Sequence, residues 1–218
     1  MHVRRLRRRR DRDSGVPVRL QGGIHSGYTQ KVRIALAEKG LTERVPFVLV
    51  TPEERRTAAY RLRHALGLVP VLELDDGSFL TESTPIIEYL DALWPEPPLV
   101  PADPLRRARM HALDHYHDQA LTPPVRRLWP PVSAASAAVA AAKAEVAAVF
   151  AHLDGVLGEQ PYLVGEFSVA DIAFMARLQV LPELGVEIPP RCARVLAWRE
   201  RLAARPSWAR TMYPPLPR

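Results

Sequence analysis

Short apolar runs and helix-period patterns alternate along the first part of the chain. Two runs rich in branched residues, Val16–Gln21 and Val45–Val50, predict strands. Pro46, near the start of the second run, favours a strand at the edge of a sheet. Between the runs, Tyr28–Lys39 repeats apolar residues every three or four positions, which predicts a helix. Residues 53–66 are charged and weakly patterned, and they predict a further helical segment.

The clearest local pattern is a hairpin followed by a helix. Val69–Leu74 and Phe79–Leu80 favour strands, and Asp75-Asp76-Gly77-Ser78 between them favours a tight turn, because Asp-Gly tolerates a positive φ. Ser83 or Thr84 is expected to cap the helix that follows. The order β-α-β-α-β-β-α predicts a compact α/β layer with a mixed sheet.

Beyond this layer the sequence predicts helices only. Residues 95–104 are dense in proline, which suits a stiff linker and excludes a helix or a central strand. Leu105–Leu121 predicts one helix, which Pro123-Pro124 should interrupt. Ser168 and Asp171 have the spacing of a capping box and predict a clear helix start. The other predicted helices cover Ser133–Leu157 and Arg194–Ala204.

The basic charge of the chain is concentrated at its N-terminal end. The formal net charge is +6, and residues 1–15 hold seven Arg against two Asp, so +6 less +5 leaves +1 for the other 203 residues. We expect this tail to be a disordered, solvated arm, with nucleic-acid binding the less favoured alternative. The tail lacks the apolar segment of a secretory signal. No run in the chain approaches the ~18 apolar residues of a membrane span.

The composition indicates in which compartment the protein works, but it does not indicate an activity. Hydrophobic content of 47% and charged content of 25% are ordinary for a globular protein and exclude a fibrous or membrane-spanning class. Cys192 is the single cysteine, which excludes a disulfide within the chain and fits a reducing compartment. We therefore expect a cytoplasmic protein.

Two features of the hairpin and its helix are suited to binding. A proline at the start of a strand withholds a donor, and if the Val69–Pro70 bond is cis, Val69 turns its own N–H and C=O toward a peptide-like ligand. Glu82 and Ser83 lie at a predicted helix N-terminus, where free N–H groups and the helix dipole attract a carboxylate. Together they predict a docking edge for a small peptide with a free carboxylate.

These motifs in this order resemble the glutathione transferase superfamily over about residues 17–210. Val69-Pro70 is similar to the family's cis-proline element. Glu82-Ser83, with Ile86-Ile87-Glu88-Tyr89-Leu90 after it, is similar to the helix that binds the γ-glutamyl group. Ser168-Val-Ala-Asp171 is similar to the capping box of a central helix in the family's second domain.

The resemblance implies the glutathione transferase fold, in which a thioredoxin-like α/β domain is followed by an all-α domain. In this chain the disordered tail would cover residues 1–15 and the thioredoxin-like domain residues 16–94. The linker would cover residues 95–104 and the all-helical domain residues 105–218. Members of this family commonly form homodimers, so a homodimer is expected as well.

The loop before the first helix resembles the serine-type classes of the family, namely theta, zeta and many bacterial members. The segment that carries this likeness is Ser26-Gly-Tyr-Thr-Gln-Lys-Val-Arg-Ile-Ala-Leu36. It implies that Ser26 is the catalytic hydroxyl, which donates to the sulfur of glutathione over the positive end of a helix and stabilises the thiolate. Tyr28 and Thr29 remain alternative donors. A Cys-x-x-Cys pair is missing from this turn, which disfavours dithiol exchange.

The resemblance also implies the ligand contacts. Val69 and Pro70 would meet the cysteinyl backbone of glutathione, and Glu82 and Ser83 would hold its γ-glutamyl end. The electrophile pocket would be lined by the loop and by the second domain, with His25, Gly27, Tyr28, His115, Tyr116 and Trp129 as candidates.

One pair of histidines offers a candidate metal site. His111 and His115 are one helical turn apart, which suits chelation. A polar helix face is the simpler interpretation, so we expect glutathione as co-substrate and no metal.

The sequence departs from the family at the glycyl end of the ligand. It has His64-Ala65 where many relatives have Asn-Pro, and Leu68 where a Lys or Gln often precedes Val-Pro. Leu68 cannot bond a glycyl carboxylate, so a related thiol is an alternative to glutathione. The favoured function is a glutathione transferase acting on an electrophilic small molecule. The alternatives are a zeta-like cis-trans isomerase and a non-catalytic interaction module.

Overall fold

The computed structural model describes residues 18–129 and 137–214. The predicted arm at residues 1–15 lies outside the described residues. So do residues 16–17 of the first predicted strand and residues 133–136 of the alanine-rich helix.

The first half of the described chain is a mixed sheet with helices packed against it. Its elements are β1 (Arg19–Gly22), α1 (Gly27–Glu38), β2 (Phe47–Leu49), α2 (Ala58–Arg61), β3 (Val71–Glu73), β4 (Phe79–Thr81) and α3 (Ser83–Leu93). The strand order is β2-β1-β3-β4, with β1 and β2 parallel and the other neighbours antiparallel. The predicted mixed sheet is confirmed, and β2 lies at an edge as Pro46 indicated. The predicted helical segment at 53–66 reduces to α2 and a 3₁₀ turn at Glu54–Arg56.

Local chemistry sets the hairpin and the start of α3. Gly77 has φ +80°, and the Ser78 N–H donates to Asp76 Oδ1 at 2.9 Å, which closes the predicted turn. The predicted cap of α3 is wrong, because Ser83 is already its first helical residue. Glu82 takes the capping position with φ +70°, a left-handed conformation that costs a non-glycine residue free energy.

The second half is all helical. Its helices are α4 (Pro104–Tyr116), α5 (Thr122–Arg127), α6 (Ala137–Leu157), α7 (Val169–Leu178), α8 (Ala193–Ala203) and α9 (Pro206–Arg210). The predicted interruption at Pro123-Pro124 is wrong, since a π-helical turn at His117–Leu121 connects α4 to α5 directly. Both prolines fall in the first turn of α5, where a missing N–H costs little, and the change of register lies in the π turn.

Buried polar contacts join the two halves. Lys31 of α1 is fully buried, and its Nζ lies 2.5 Å from Asp114 Oδ1 on α4. Thr84 of α3 bonds both of these side chains. Arg205 donates twice to the Glu38 carboxylate at 2.8 and 2.7 Å. A buried ion pair specifies an arrangement more reliably than it adds stability. Here the pair of Lys31 on α1 and Asp114 on α4 holds α4 in one rotational position against α1.

The capping box predicted for α7 is confirmed. The fully buried Asp171 accepts from the Ser168 N–H at 3.0 Å and from the Leu163 N–H at 3.1 Å. The Trp198 indole N–H of α8 also donates to it, at 2.9 Å. Burial raises the pKa of Asp171 to about 6 although these donors act against the shift.

Two further observations concern the cysteine and the apolar length of the helices. Cys192, just before α8, is a buried free thiol. Across the described ranges, no helix is both long enough and apolar enough to cross a membrane.

Candidate active site

A cleft of about 620 Å³ lies where the α/β layer meets the helices of the second half. The residues that line it come from the loop before α1, from the segments around α2 and β3, and from the helices of the second half. They are His25, Ser26, Gly27, Tyr28, Arg55, His64, Leu68, Val69, Pro70, Glu82, Asp118, Val125, Arg126, Trp129 and Arg177. A cleft of this size suits a small-molecule ligand.

Ser26 occupies the N-terminus of α1. It has an extended backbone (φ −78°, ψ 118°), and its Oγ accepts from the Thr29 N–H at 3.3 Å. Because the oxygen accepts this bond, the hydroxyl hydrogen is left to donate to a ligand. A ligand atom at this hydroxyl also meets the positive end of the α1 dipole.

The two alternative donors in the loop have other surroundings. Thr29 is fully buried, its Oγ1 accepts from the Gly23 N–H at 3.3 Å, and its methyl lies 2.3 Å from where a Gly22 Cβ would stand. Thr29 therefore secures the approach of α1 to β1. Burial, together with the charge of Asp118, raises the pKa of Tyr28, which makes its phenol a poorer proton donor.

Three residues of the docking edge expected from the sequence line the same cleft as Ser26. The Val69–Pro70 peptide is cis, and Val69 precedes the first paired residue of β3, so its backbone lies outside the strand ladder. Val69, Pro70 and Glu82 all line the cleft. Ser83 is buried at the start of α3, next to Glu82, and is not among the lining residues.

The structure brings several charged residues to the cleft that the sequence did not single out. Arg55 and His64 lie near Leu68 on the side of Val69, and Arg126 and Arg177 come from α5 and α7. Arg177 is the one basic residue of α7, which is apolar apart from it and Asp171; this makes the residue unusual in sequence but does not indicate where its side chain lies. The segment that holds Arg55 has no helical periodicity, so nothing local could have indicated which of its charges point inward.

On the electrophile side, the structure brings together only part of the predicted set. His25, Gly27, Tyr28 and Trp129 line the cleft. His115 and Tyr116 do not: His115 is exposed, and Tyr116 packs on the His152 ring at 4.7 Å. The helix phase explains this correction, because Asp114 faces α1 and Asp118, four residues later, is the residue of this segment that reaches the cleft.

Aromatic contacts close one side of the loop. The His25 ring lies 5.4 Å from the Trp129 ring and is stacked 6.5 Å from the Tyr213 ring. His111, the other half of the considered metal pair, lies 3.0 Å from the Glu88 carboxylate instead. Among residues 18–129 and 137–214, no three His, Cys, Asp or Glu side chains are grouped as a metal would require.

Comparison with known protein families gives two matches that together cover most of the described chain. The glutathione S-transferase N-terminal domain matches residues 25–93, and the glutathione S-transferase C-terminal domain matches residues 113–206.

Individual proteins are similar over most or part of the chain. Glutathione S-transferase 2 of Saccharomyces cerevisiae is 34% identical over 83% of both chains. Maleylacetoacetate isomerase of Pseudomonas aeruginosa is 47% identical over 86 residues, which is 38% of this chain and 41% of that enzyme. The theta class glutathione S-transferase of Xanthomonas axonopodis pv. citri, solved with glutathione bound, has a TM-score of 0.78 at 27% identity and covers 93% of this chain and 100% of that one.

Proposed function

Because the chain belongs to the glutathione S-transferase family, we propose that it binds glutathione in this cleft and activates the thiol for attack on an electrophilic small molecule. The observation that carries the proposal is the position of Ser26. Its hydroxyl oxygen caps α1, which leaves the hydrogen to donate, and Ser26 lines the cleft together with the cis Val69–Pro70 pair before β3.

Thiol activation requires a modest amount of stabilisation. A free thiol with a pKa near 8.5 is roughly 3% ionised at pH 7. Lowering this pKa by about two units makes the thiolate the main form, at about 2.7 kcal/mol of differential stabilisation. One hydroxyl donor and a helix N-terminus supply an effect of this order. The thiolate then forms a carbon–sulfur bond, while a leaving group departs or a proton adds to the neighbouring carbon.

The rest of the cleft would hold the tripeptide. The backbone of Val69 would pair with the cysteinyl unit next to Pro70, and Glu82 and Ser83 at the start of α3 would bind the γ-glutamyl end. Leu68 offers no group to the glycyl carboxylate. Arg55 and His64 beside it would take that role, because a guanidinium matches the geometry of a carboxylate.

We expect Arg55→Gln to weaken glutathione binding about tenfold, since a hydrogen bond to a charged group contributes about 1.5 kcal/mol or more. Titration calorimetry on the purified variants measures this. Arg56→Gln is the matched control, because Arg56 is adjacent, exposed and not part of the cleft lining. Equal affinities of the two variants for glutathione would show that Arg55 does not bind the ligand.

Glutathione-dependent cis-trans isomerisation is the second candidate, favoured by the 47% identity to a maleylacetoacetate isomerase. The same thiolate would add to a cis double bond, permit rotation and leave again. The two outcomes differ in stoichiometry: conjugation consumes one thiol per product, and isomerisation consumes none. Counting free thiol during turnover with each class of electrophile separates them.

Binding of glutathione to the wild-type protein tests the proposed function itself. Calorimetry should give saturable binding, and ultraviolet difference spectra should give a thiolate band at neutral pH. Failure to bind at millimolar glutathione would overturn the proposal. It would direct attention to other low-molecular-weight thiols and then to the non-catalytic interaction module, for which partner proteins would be sought.

A homodimer in the cytoplasm completes the proposal. The compartment is supported by the single, reduced Cys192.

The dimer is supported by large apolar side chains exposed on edge strand β2 and after α2: Val48, Leu49, Leu62 and Leu66. Leu62 is the most open of them at 86% exposure. We expect sedimentation to give twice the chain mass of 24.4 kDa, and Leu62→Glu to give the single mass. A monomeric wild type would contradict this.

A further inference from the structure

Arg177 is a buried cation at the base of the candidate active site. It lies in α7, where every residue is buried, and only 7% of it is exposed. A Cβ built on Gly27 would lie 2.5 Å from its Cζ and 2.7 Å from its Nη1. Gly27 is the first residue of α1 and directly follows Ser26. The guanidinium therefore lies against the helix N-terminus at which Ser26 places its hydroxyl.

The charge of Arg177 is poorly compensated within the protein. Its Nη2 donates to Thr122 Oγ1 at a long 3.4 Å, and its buried Nε has no hydrogen-bond partner. Over the described ranges, no carboxylate oxygen comes within 4 Å of it. Buried charges are ordinarily paired, because leaving water costs them several kcal/mol each. A buried cation that lines a cleft and has no carboxylate within 4 Å indicates that an anion is its partner when the cleft is filled.

We propose that Arg177 is a fixed positive charge that acts with the Ser26 hydroxyl to hold the bound thiol in its thiolate form. This inference rests on the proposed function. An opposite charge within about 4–6 Å shifts a pKa by about 1–3 units. A guanidinium suits this task because it remains charged throughout the working pH range. Arg177 acts here as a positioning residue: its positive charge stabilises the thiolate electrostatically, while the sulfur accepts its hydrogen bond from the Ser26 hydroxyl.

Of the two acidic residues that line the cleft, Glu82 and Asp118, it is Asp118 that interacts with Arg177 and opposes this field. Burial alone would raise the pKa of Asp118. The hydrogen bond with His117 and the charges of Lys31 and Arg177 outweigh burial and lower it. Its carboxylate is 30% exposed and bonds His117 Nδ1 at 2.9 Å, so water and that bond take up part of its charge. The guanidinium is more deeply buried and is screened less.

Most other groups around Arg177 keep one charge state between about pH 5 and 9. Burial lowers the pKa of His117 to about 4 and raises the pKa of Tyr213 to about 12. The pKa of Tyr28 is also raised, mainly by burial. His25 also lines the cleft, and it is present in every variant. Charged groups on the neighbouring elements α1, α4 and α5 include Lys31, Asp114 and Arg126, of which the first two are paired with each other.

The test compares Arg177→Met with Arg177→Lys in the full-length protein. The thiolate band of bound glutathione is titrated from about pH 5 to 9, and kcat/KM is measured over the same range. We expect Arg177→Met to raise the thiol pKa by about one unit, which lowers kcat/KM about tenfold below that pKa and not above it. The lysine variant should recover part of the shift. Arg109→Gln, an exposed change of equal charge outside the cleft, should leave the titration unchanged.

Gly27→Ala tests the same contact from the other side. The added methyl would collide with the guanidinium and displace it from α1, so the thiol pKa should rise as in Arg177→Met. In the double variant the two effects should not add, because both remove one interaction. Additive shifts would overturn the inference, as would an Arg177→Met titration identical to wild type. A wild type without any thiolate band would instead overturn the proposed function on which the inference rests.

Discussion

Replacing Ser26 by alanine should lower kcat/KM at pH 6.5 by up to about 50-fold, because a bound thiol whose pKa returns from about 6.5 to about 8.5 falls from roughly half ionised to roughly 1% ionised at that pH. The variant should also lose the thiolate band of bound glutathione while keeping its affinity within a few fold, since Val69, Glu82 and the rest of the docking edge are untouched. Difference spectra and steady-state rates on the same preparations measure both effects.

The pH profile makes this expectation specific. Without the hydroxyl, the bound thiol returns toward its ordinary pKa near 8.5, so the variant's rate should climb toward wild type as the pH rises above that value. A defect that is constant with pH would mean that Ser26 positions the ligand and does not ionise it.

Tyr28→Phe is the matched control for the hydroxyl. Burial has raised the pKa of the Tyr28 phenol, so losing it should leave the thiolate band in place. If Tyr28→Phe abolishes the band and Ser26→Ala keeps it, the donor is the tyrosine and the serine-type assignment is wrong.

The features that the sequence predicted well are those determined by neighbouring residues. The Asp-Gly turn, the Ser168–Asp171 box and the edge position of β2 each depend on backbone chemistry within a few residues. The cis peptide at Val69–Pro70 and the start of α3 next to Glu82 could be anticipated for the same reason, because a proline and a helix start are both local signals. That they dock a ligand stays a prediction.

The errors concern the rotational position of helices and contacts between distant segments. His115 and Tyr116 were expected in the cleft because α4 was expected there, but the phase of α4 is set by Asp114 pairing with Lys31, 83 residues earlier. Sequence periodicity does not reveal such a partner. The π turn beyond α4 then brings Asp118 toward the cleft, and a change of helical register leaves no trace in an apolar pattern.

The position of Arg177 could not be predicted from the sequence for a related reason. A single arginine in an apolar helix has no periodic signature, and its importance appears only when Gly27 is seen to make room for its guanidinium. The missing Cβ and the buried charge are 150 positions apart in the chain. The family resemblance suggested Ser26 as the serine of the proposed site, and the three-dimensional arrangement was needed to find the charge beside it.

Asp171 combines a local signal with distant partners, and its removal should produce the largest loss of stability in the chain. The sequence pairs it with Ser168, whereas the structure adds the Leu163 N–H and the Trp198 indole. Alanine would leave these buried donors without an acceptor. We expect Asp171→Ala to lower the free energy of unfolding by about 4 kcal/mol at pH 5, measured by urea denaturation. Trp198→Phe, which removes one donor and keeps an aromatic ring, should cost about 1 kcal/mol.

The raised pKa of Asp171 gives this prediction a pH dependence. Burial holds the folded-state pKa at about 6, above the ordinary 3.8. At pH values between these two, the folded protein keeps a proton that the unfolded chain has released. The contribution of Asp171 ionisation to the free energy of unfolding is therefore complete below pH 3.8 and is lost as the pH rises through 6. Alanine does not titrate, so the gap between wild type and Asp171→Ala should narrow by about 2–3 kcal/mol from pH 4 to pH 7. A gap that widens over this range would mean that the four hydrogen bonds, and not burial, decide the ionisation of this carboxyl group.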